Sequence, residues 1–399
     1  MTHRCLACGG ALGLPFFEID DLPLVDSFRR TQDEARKVSR YSIALCQCES
    51  CMTIQIASPP DTSDIYRNYI YESSSSPDLL QHFDNYAKLI KSISKDNESP
   101  ILEIGANDGL LLKQLSKLGF TKLVGVDPSP QTKNLEIENA EIINDFFDRN
   151  SAEKLKNSNF QFIIANNCFS HIPELCEKLV LCRDLLSTTG ILIVEVQSTL
   201  DLVESAIFDY IYHEHYFYHS SLSFNNLAAA SGLELFDVQR HDTKGGTYRF
   251  FLGHRGRHRV EKSVAHWQFR ENVARIHSPD TWALLTSYLA IMRSNLTKLL
   301  DRATGPIAAY GACATGTVFM KHMEIEDKIS FIVDDNLSRQ GLYSPGTGIP
   351  VVAPSHCGSA SMCVILAWRH SKYIAPKLKG VSVPFIIPHP AAGNALPIA

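Results

Sequence analysis

The run Ile101–Gly109, which carries E-x-G-x-x-x-G from Glu103 to Gly109, constrains this chain more than any other stretch. Apolar Ile101, Leu102 and Ile104 read as a buried strand, Gly105 as the turn at its carboxyl end, and Leu110 to Leu118 as the following helix. Glycine at that turn lets a ligand approach the backbone closely, and open α/β sheets bind ligands at the carboxyl ends of their strands. A second strand, Lys122–Asp127, ends about twenty residues further on in a carboxylate, the group that grips ribose hydroxyls in such sheets. The glycine spacing is not G-x-G-x-x-G. A diphosphate needs that third glycine and a free helix N-terminus, so a nucleoside ligand without phosphate fits this turn better.

Three further features keep register with the turn. Asn144 and Asp145 precede Phe146, Phe162–Asn167 reads as a fourth strand, and Gly190–Val196 as a fifth. Leu233–Val238 and Thr247–Gly253 read as a closing antiparallel pair. This order resembles the class I S-adenosylmethionine (SAM)-dependent methyltransferase fold, a Rossmann-like α/β architecture. The resemblance implies that SAM is bound by Glu103, Gly105, Asn107, Gly109, Asp127, Asp145 and Asn167, with Asp145 at the adenine ring. His171, in the segment after the fourth strand, would face the transferred methyl; the plainer alternative is a neighbour of a helix N-cap.

On either side of this central unit the composition changes. Cys5-x-x-Cys8 and Cys48-x-x-Cys51 can each turn two thiolates to one point, and together they complete a closed tetrahedral Zn2+ site of structural type. Cys46 is a spare that can replace Cys48. Strand-like Pro15–Ile19 and Tyr41–Leu45 lie between the pairs, so a small zinc-binding module over 1–75 is expected, followed by the methyltransferase domain over 76–258. Serines bounded by proline before Pro77 read as an extended segment that can hydrogen-bond phosphate or sugar hydroxyls. A helical connector spans 259–303. A second Rossmann-like unit over 304–399 is expected from Ile307–Gly316, Ile329–Asn336, Val364–Trp368 and Val383–Pro388.

A net charge of -5 gives no basic footprint for nucleic acid. No apolar run approaches the roughly 20 residues needed to cross a bilayer, and cysteines stand where a signal peptide would place its apolar core. A cytoplasmic protein is expected, with its 11 cysteines as thiols and metal ligands.

Phe208–Ser220 concentrates His213, His215 and His219 with Asp209, Glu214 and four tyrosines. That is proton-transfer chemistry in an aromatic setting, and it follows the fifth strand, where substrate should lie. The plainer reading is a half-buried amphipathic helix with satisfied histidines. A catalytic metal is not expected, because Glu214 between His213 and His215 lacks the spacing that puts two imidazoles on one helix face. Lys244-Gly245-Gly246 is a basic glycine loop that can meet a phosphate, or a hairpin turn.

Taken together, the paired C-x-x-C module, the Tyr69-x-Tyr71-x-Ser73-Ser74 segment with His82, the E-x-G-x-x-x-G turn, Tyr212–His215, Gly245-Gly246 before Arg249, Tyr310-Gly311, Asp334–Asn336 with Pro345–Pro350, and Leu366–Trp368 resemble the sugar C-methyltransferases that act on dTDP-activated 4-keto-6-deoxy sugars. The likeness runs over nearly the whole chain. It implies His215 as general base, Glu214 and Tyr212 orienting the substrate, and His171 and Tyr71 holding the sugar or its enolate. It further implies substrate contacts from Tyr69, Ser73, Ser74, His82, Lys244, Arg249, Tyr310, Gly311 and Asp335. The partner implied is a nucleotide-diphosphate sugar gripped by the two outer domains, without nucleic acid or membrane, and a monomer is favoured. The run Pro345–Pro350, with glycine where relatives often show histidine, and Thr247-Tyr248 after Gly246 depart from the pattern. Both departures are expected near the nucleotide and sugar grip. Competing functions are sugar O-methylation and a non-catalytic zinc and SAM-fold binding protein.

Overall fold

The computed structural model describes residues 4–60, 74 and 77–390. Its strands form three sheets. The first is antiparallel, in the order β1 (Phe17–Pro23), β2 (Arg40–Gln47), β3 (Ile54–Ile56) and β9 (Phe217–Tyr218). Its last strand therefore comes from the histidine-rich stretch, paired through Ile54 to Tyr218 and Gln55 to Phe217. That stretch is not helical as a whole. A single 3-10 turn at Phe208–Tyr210 leads through a bend and turn into β9, so its side chains fan out in several directions.

The second sheet has seven strands, ordered β10 (Leu233–His241), β11 (Thr247–His254), β8 (Leu186–Gln197), β7 (Phe160–Asn166), β4 (Ile101–Ile104), β5 (Leu123–Val126) and β6 (Ala140–Ile143). Strands β4 to β8 run parallel, while β11 is antiparallel to both β8 and β10. This is the class I methyltransferase sheet. The strand order reverses between β4 and β7, and such a switch point leaves a crevice at the carboxyl ends. Ile101, Leu102 and Ile104 are buried, as are Phe162, Ile163 and Ile164, the continuous apolar character of strands covered on both faces. The helix Pro77–Ile93 packs through Phe83, Tyr86, Ala87 and Ile90 into the same core as Leu111 and Leu115 of the helix Leu110–Lys117.

The third sheet is wholly parallel: β14 (Val351–Val352), β13 (Phe331–Val333), β12 (Ile307–Tyr310), β15 (Met362–Ile365) and β16 (Phe385–Ile386). It has its own switch point, between β12 and β15. The helices Lys262–Val273 and Pro279–Leu300 precede it. No helix among the described residues is long and apolar enough to cross a membrane.

The first and third sheets share one core with the stretch around Phe208: Phe17, Leu22, Ile207, Phe208, Trp282, Phe319 and Trp368 belong to a single apolar cluster. The loop Pro345–Pro350 belongs to this contact. Gly346 has φ +75, and its N–H donates to the Ala35 carbonyl (2.8 Å) while its carbonyl accepts from Arg40 Nη2 (2.7 Å). A Cβ on Gly346 would meet Pro23 at 2.7 Å. Gly346 thus serves the packing of the two outer sheets, and this loop, which departs from the family pattern, does not line the cavity described next.

Candidate functional site

A continuous cavity of about 2200 Å³ extends from the carboxyl ends of β4, β5 and β7 to those of β12 and β13. At the first end, Gly105 (φ +75) approaches the segment after β7 so closely that a Cβ would lie 2.8 Å from Cys168 Cβ. Asp127 accepts from Asn107 N (2.9 Å, Oδ2) and Ser129 N (2.7 Å, Oδ1). Each carboxylate oxygen keeps a further lone pair, and the residue lines the cavity. Glu103 Oε2 and Ser129 Oγ are buried with no hydrogen-bond partner among the described residues. These groups fit an adenosine ribose and a cationic amino-acid tail, so the SAM expectation has a matching cradle. Asn107 and Asn167, both left-handed (φ 49 and 53), and Glu103 line the same end.

Two positions differ from expectation. Asp145 is exposed with Oδ1 accepting its own neighbour's amide, Phe146 N, at 2.8 Å, and it is the aromatic Phe146 and Phe147 that line the cavity. Gly109 caps the helix at φ +71 under Ile137 and Leu135, away from the lining.

In the middle of the cavity stand His171, Tyr212, Glu214 and His215. The rings of His171 and His215 are 4.8 Å apart, and Tyr212 lies 4.1 Å from His215. His215 Nδ1 is 2.7 Å from the Tyr210 carbonyl, and His171 Nδ1 is 2.7 Å from that of Glu214. A carbonyl can only accept, so Nδ1 of His215 carries the hydrogen and Nε2 presents a lone pair. Burial, and then the neighbouring His171, hold His215 well below the usual imidazole range; burial takes His171 to about 4. Both rings are neutral at pH 7. Burial, reinforced by the charge of Asp26, pushes Glu214 up to about 8. Neither His213, packed edge-on against Tyr41, nor His219, near the Phe169 carbonyl, lines the cavity.

His82 and Arg249, expected on the substrate, are engaged elsewhere. His82 Nε2 lies 2.7 Å from Glu195 Oε1, and Arg249 donates twice to Oε2 (3.0 and 2.7 Å) while its guanidinium sits 3.6 Å over Tyr86. Burial alone would raise Glu195, but His82 and Arg249 outweigh it and hold the carboxyl down to about 2. All three are missing from the cavity wall; they fix the end of β8, whose Glu195 carbonyl accepts from Asn167 N (2.6 Å). Thr247-Tyr248 are likewise buried in the sheet. Ser74 donates its N–H to Asp108 Oδ2 (3.0 Å). Tyr69, Tyr71 and Ser73 lie outside the described residues.

At the far end Tyr310 OH donates to Asp335 Oδ2 (3.1 Å), and Gly311 (φ 111) abuts Ala367. Tyr310, Gly311 and Asp335, together with Lys244, line the cavity. Four lining residues were not legible as such: Asp26 (φ 55), ion-paired to Arg339 at 3.1 Å, and Tyr210 and Arg369, stacked 4.2 Å apart. Asp26 has no motif around it. An arginine next to Trp368 in a Leu-Ala-Trp run was the only available signal for Arg369.

Away from the cavity, the Sγ atoms of Cys5, Cys8, Cys48 and Cys51 all lie within 4.8 Å of one another. Cys5 to Cys51 is 3.8 Å and Cys8 to Cys48 is 3.5 Å. Four thiolates at the usual zinc–sulfur length of about 2.3 Å on a tetrahedron are separated by roughly 3.8 Å, so the donor set fits Zn2+. Amides of Ser50 and Cys51 point at Cys48 Sγ (3.4 and 3.5 Å). Cys46 is not in the cluster. Zinc released on denaturation is expected at one equivalent per chain, falling in Cys48→Ser and unchanged in Cys46→Ser; equal loss in both variants would remove the assignment.

Comparison with known proteins adds to this geometry. Residues 78–238 match the model of a methyltransferase domain, and residues 242–390 that of a C-methyltransferase C-terminal domain. The chain is 25% identical over 384 residues to the C-methyltransferase NovU of Streptomyces niveus, covering 93% of this chain and 91% of that protein. Among solved structures, the PH0226 protein of Pyrococcus horikoshii OT3 is 16% identical, covering 48% of this chain and 99% of its own, with a TM-score of 0.37. The CcbJ methyltransferase of Streptomyces caelestis is 15% identical, covering 48% and 96%, with a TM-score of 0.36. With a class I methyltransferase sheet, a matching SAM cradle and a C-methyltransferase C-terminal domain in tandem, the chain is a SAM-dependent C-methyltransferase.

Proposed function

We propose that this enzyme removes the proton from the carbon next to the keto group of a nucleotide-activated sugar, of the dTDP-4-keto-6-deoxy type, and methylates that carbon in deoxysugar biosynthesis for an antibiotic or surface polysaccharide. The observation that carries the reading is His215, whose Nδ1 is held by a backbone carbonyl and whose Nε2 is turned, as a lone pair, to a cavity shared by the SAM cradle and a second α/β unit.

A keto group acidifies the adjacent C–H, so a neutral imidazole can take the proton if the oxygen that gains charge is held by donors. His215 is the base; Glu214, protonated at neutral pH, and Tyr212 orient the sugar, and His171 braces the turn through the Glu214 carbonyl. SAM bound over Asp127 supplies an electrophilic methyl group. The chain's task is then to hold the sugar carbon in line with it. A sugar alone would leave much of the cavity unfilled, whereas a nucleotide diphosphate reaching Tyr310 and Asp335 would anchor it by remote binding energy. We assign Zn2+ to the four cysteines of the 1–75 module, as a structural ion that supports the sheet to which β9 is paired, with 76–258, 259–303 and 304–399 as the remaining units.

Incubation of the enzyme with a dTDP-4-keto-6-deoxy sugar in deuterium oxide, without SAM, is expected to exchange the hydrogen on the carbon beside the keto group. Methyl transfer to a hydroxyl with no exchange would replace the reading by O-methylation.

A further inference from the structure

Lys244 stands at the tip of the β10–β11 hairpin with a left-handed backbone (φ 54), followed by two glycines that are also at positive φ. The tip is fixed from the outside. Arg369 Nε donates to the Lys244 carbonyl (3.1 Å), and a Cβ on Gly245 would strike Ile207 at 2.9 Å and Trp368 at 3.3 Å. Gly246 is packed against Asp201 so closely that a Cβ would lie 2.3 Å from its carboxyl carbon. A turn held on three sides presents its side chain to the cavity, which Lys244 lines together with His171 and His215.

Its ammonium forms no ion pair with any carboxylate among the described residues, while the neighbouring cations Arg240 and Arg369 have theirs, Asp201 and Asp209. The charge of Lys244 reaches both imidazoles, lowering His171 and His215. A cation on a rigid turn in the cavity that holds the base, without an ion-paired carboxylate among the described residues, is arranged for negative charge that arrives with the substrate. Phosphate is one source of such charge. The place of Lys244 in the cavity that holds His215, within reach of that imidazole for its charge, favours the other source, the oxygen that becomes negative when His215 takes the proton.

We propose that Lys244 is a catalytic residue that donates a hydrogen bond to the keto oxygen of the substrate and stabilises the enolate. This rests on the C-methylation reading above. In the step, the C–H bond breaks, the proton passes to His215 Nε2, and its electron pair forms the C=C bond while the carbonyl pair moves to oxygen. Lys244 keeps its proton throughout. When the carbon takes the methyl group, the C=O bond re-forms and the demand on Lys244 is relaxed. An interaction stronger in the charged state than in the ketone lowers the barrier without tightening substrate binding.

The test compares wild type, Lys244→Met and Lys244→Arg in solvent exchange and in methyl transfer to a nucleotide-linked keto sugar, with SAM affinity measured by calorimetry as a folding control. Lys244→Met is expected to lower both rates at saturation by about 10²-fold, with KM and SAM affinity nearly unchanged, and Lys244→Arg to recover part of the loss. A raised KM with kcat preserved would assign Lys244 to phosphate and overturn the proposal. The pH profile is a second readout. Burial lowers Lys244 to about 8, and the working form is protonated, so wild-type kcat falls as pH rises through that value; in Lys244→Arg this limb should become shallower. The groups facing Lys244 are His171, His215, Glu195 and Arg369, and Glu214 titrates in the same range. A residual limb in Lys244→Arg belongs to Glu214; a limb unchanged from wild type in both midpoint and depth would show that Lys244 contributes nothing to it and would overturn the proposal. If wild type neither exchanges nor methylates any keto sugar, the substrate reading falls first; if wild type is active and Lys244→Met matches it, only the role of Lys244 falls.

Discussion

Replacing His215 by alanine is expected to lower both solvent exchange and methyl transfer by about 10³-fold or more, within the range of general-base removal, while SAM affinity stays within a few-fold. The two effects separate because His215 lies at the middle of the cavity and the SAM cradle at one end, around Asp127 and Gly105. His215→Gln should be nearly as slow. It keeps a polar group of similar reach but no lone pair of matching basicity. The sign of the acid-side pH dependence follows from the lowered imidazole. A base works when deprotonated, and burial with His171 keeps His215 deprotonated well below pH 6.5, so on the acid side kcat/KM should be flat through neutrality and decline only well below pH 6.5. A decline already visible between pH 7 and 6 in wild type, or a His215→Ala enzyme that exchanges at the wild-type rate, would dismiss His215 as the base.

Much of this arrangement is local enough to be legible in the sequence. The E-x-G-x-x-x-G turn, the acid at Asp127 and the apolar strands around them follow from glycine sterics and strand periodicity, and the class I sheet is built on them. The four cysteines converge because each C-x-x-C pair turns both thiols to one side. What was not legible depends on partners distant in sequence. β9 is two residues long and exists only because Ile54 and Gln55 offer it an edge, so nothing in Phe217-Tyr218 alone marks a strand. Without that pairing in view, the histidine-rich stretch reads as a helix, and its fan of side chains between core and cavity is lost. His82 and Arg249 are polar residues of the kind a substrate attracts, yet both are used by Glu195 inside the sheet. Burial of a charge together with its counter-ions cannot be read from one strand. Asp26 and Arg369 lie in loops, and only the folding of three sheets onto one cavity gives them a place there.

The second large effect is expected at Asp209, which joins the histidine-rich stretch to the third sheet. Its carboxylate is fully buried and accepts from Trp368 Nε1 (2.8 Å) and Arg369 Nη1 (3.2 Å), with His389 Nε2 at 3.3 Å. Burial by itself would raise its pKa, but Arg369 and His389 outweigh that and hold the carboxyl well below the ordinary range. The same network sets the catalytic turn: Arg369 stacks over Tyr210, whose carbonyl holds His215 Nδ1, and Arg369 Nε holds the Lys244 carbonyl. Asp209→Ala leaves Arg369, part-buried against two aromatic rings, without its fully buried counter-ion, a loss of about 3 kcal/mol, seen as a clear drop in Tm and in the denaturation midpoint. Asp209→Asn, close in shape, should recover the Trp368 hydrogen bond and only part of the stability, because the charge is still missing. For a carboxylate depressed on folding, the stability is fully present above its unfolded pKa, near 4, and is lost as pH falls toward the lower folded value. The gap between wild type and Asp209→Asn should therefore be constant from pH 8 to 5 and close below about pH 4. A gap of the same size at pH 3 would mean that Asp209 acts through shape and not through charge. Turnover supplies the link to function: a surviving Asp209→Asn fold should show a lowered kcat with His215 intact, since the residue it disturbs, Arg369, holds both the base and the hairpin tip in place.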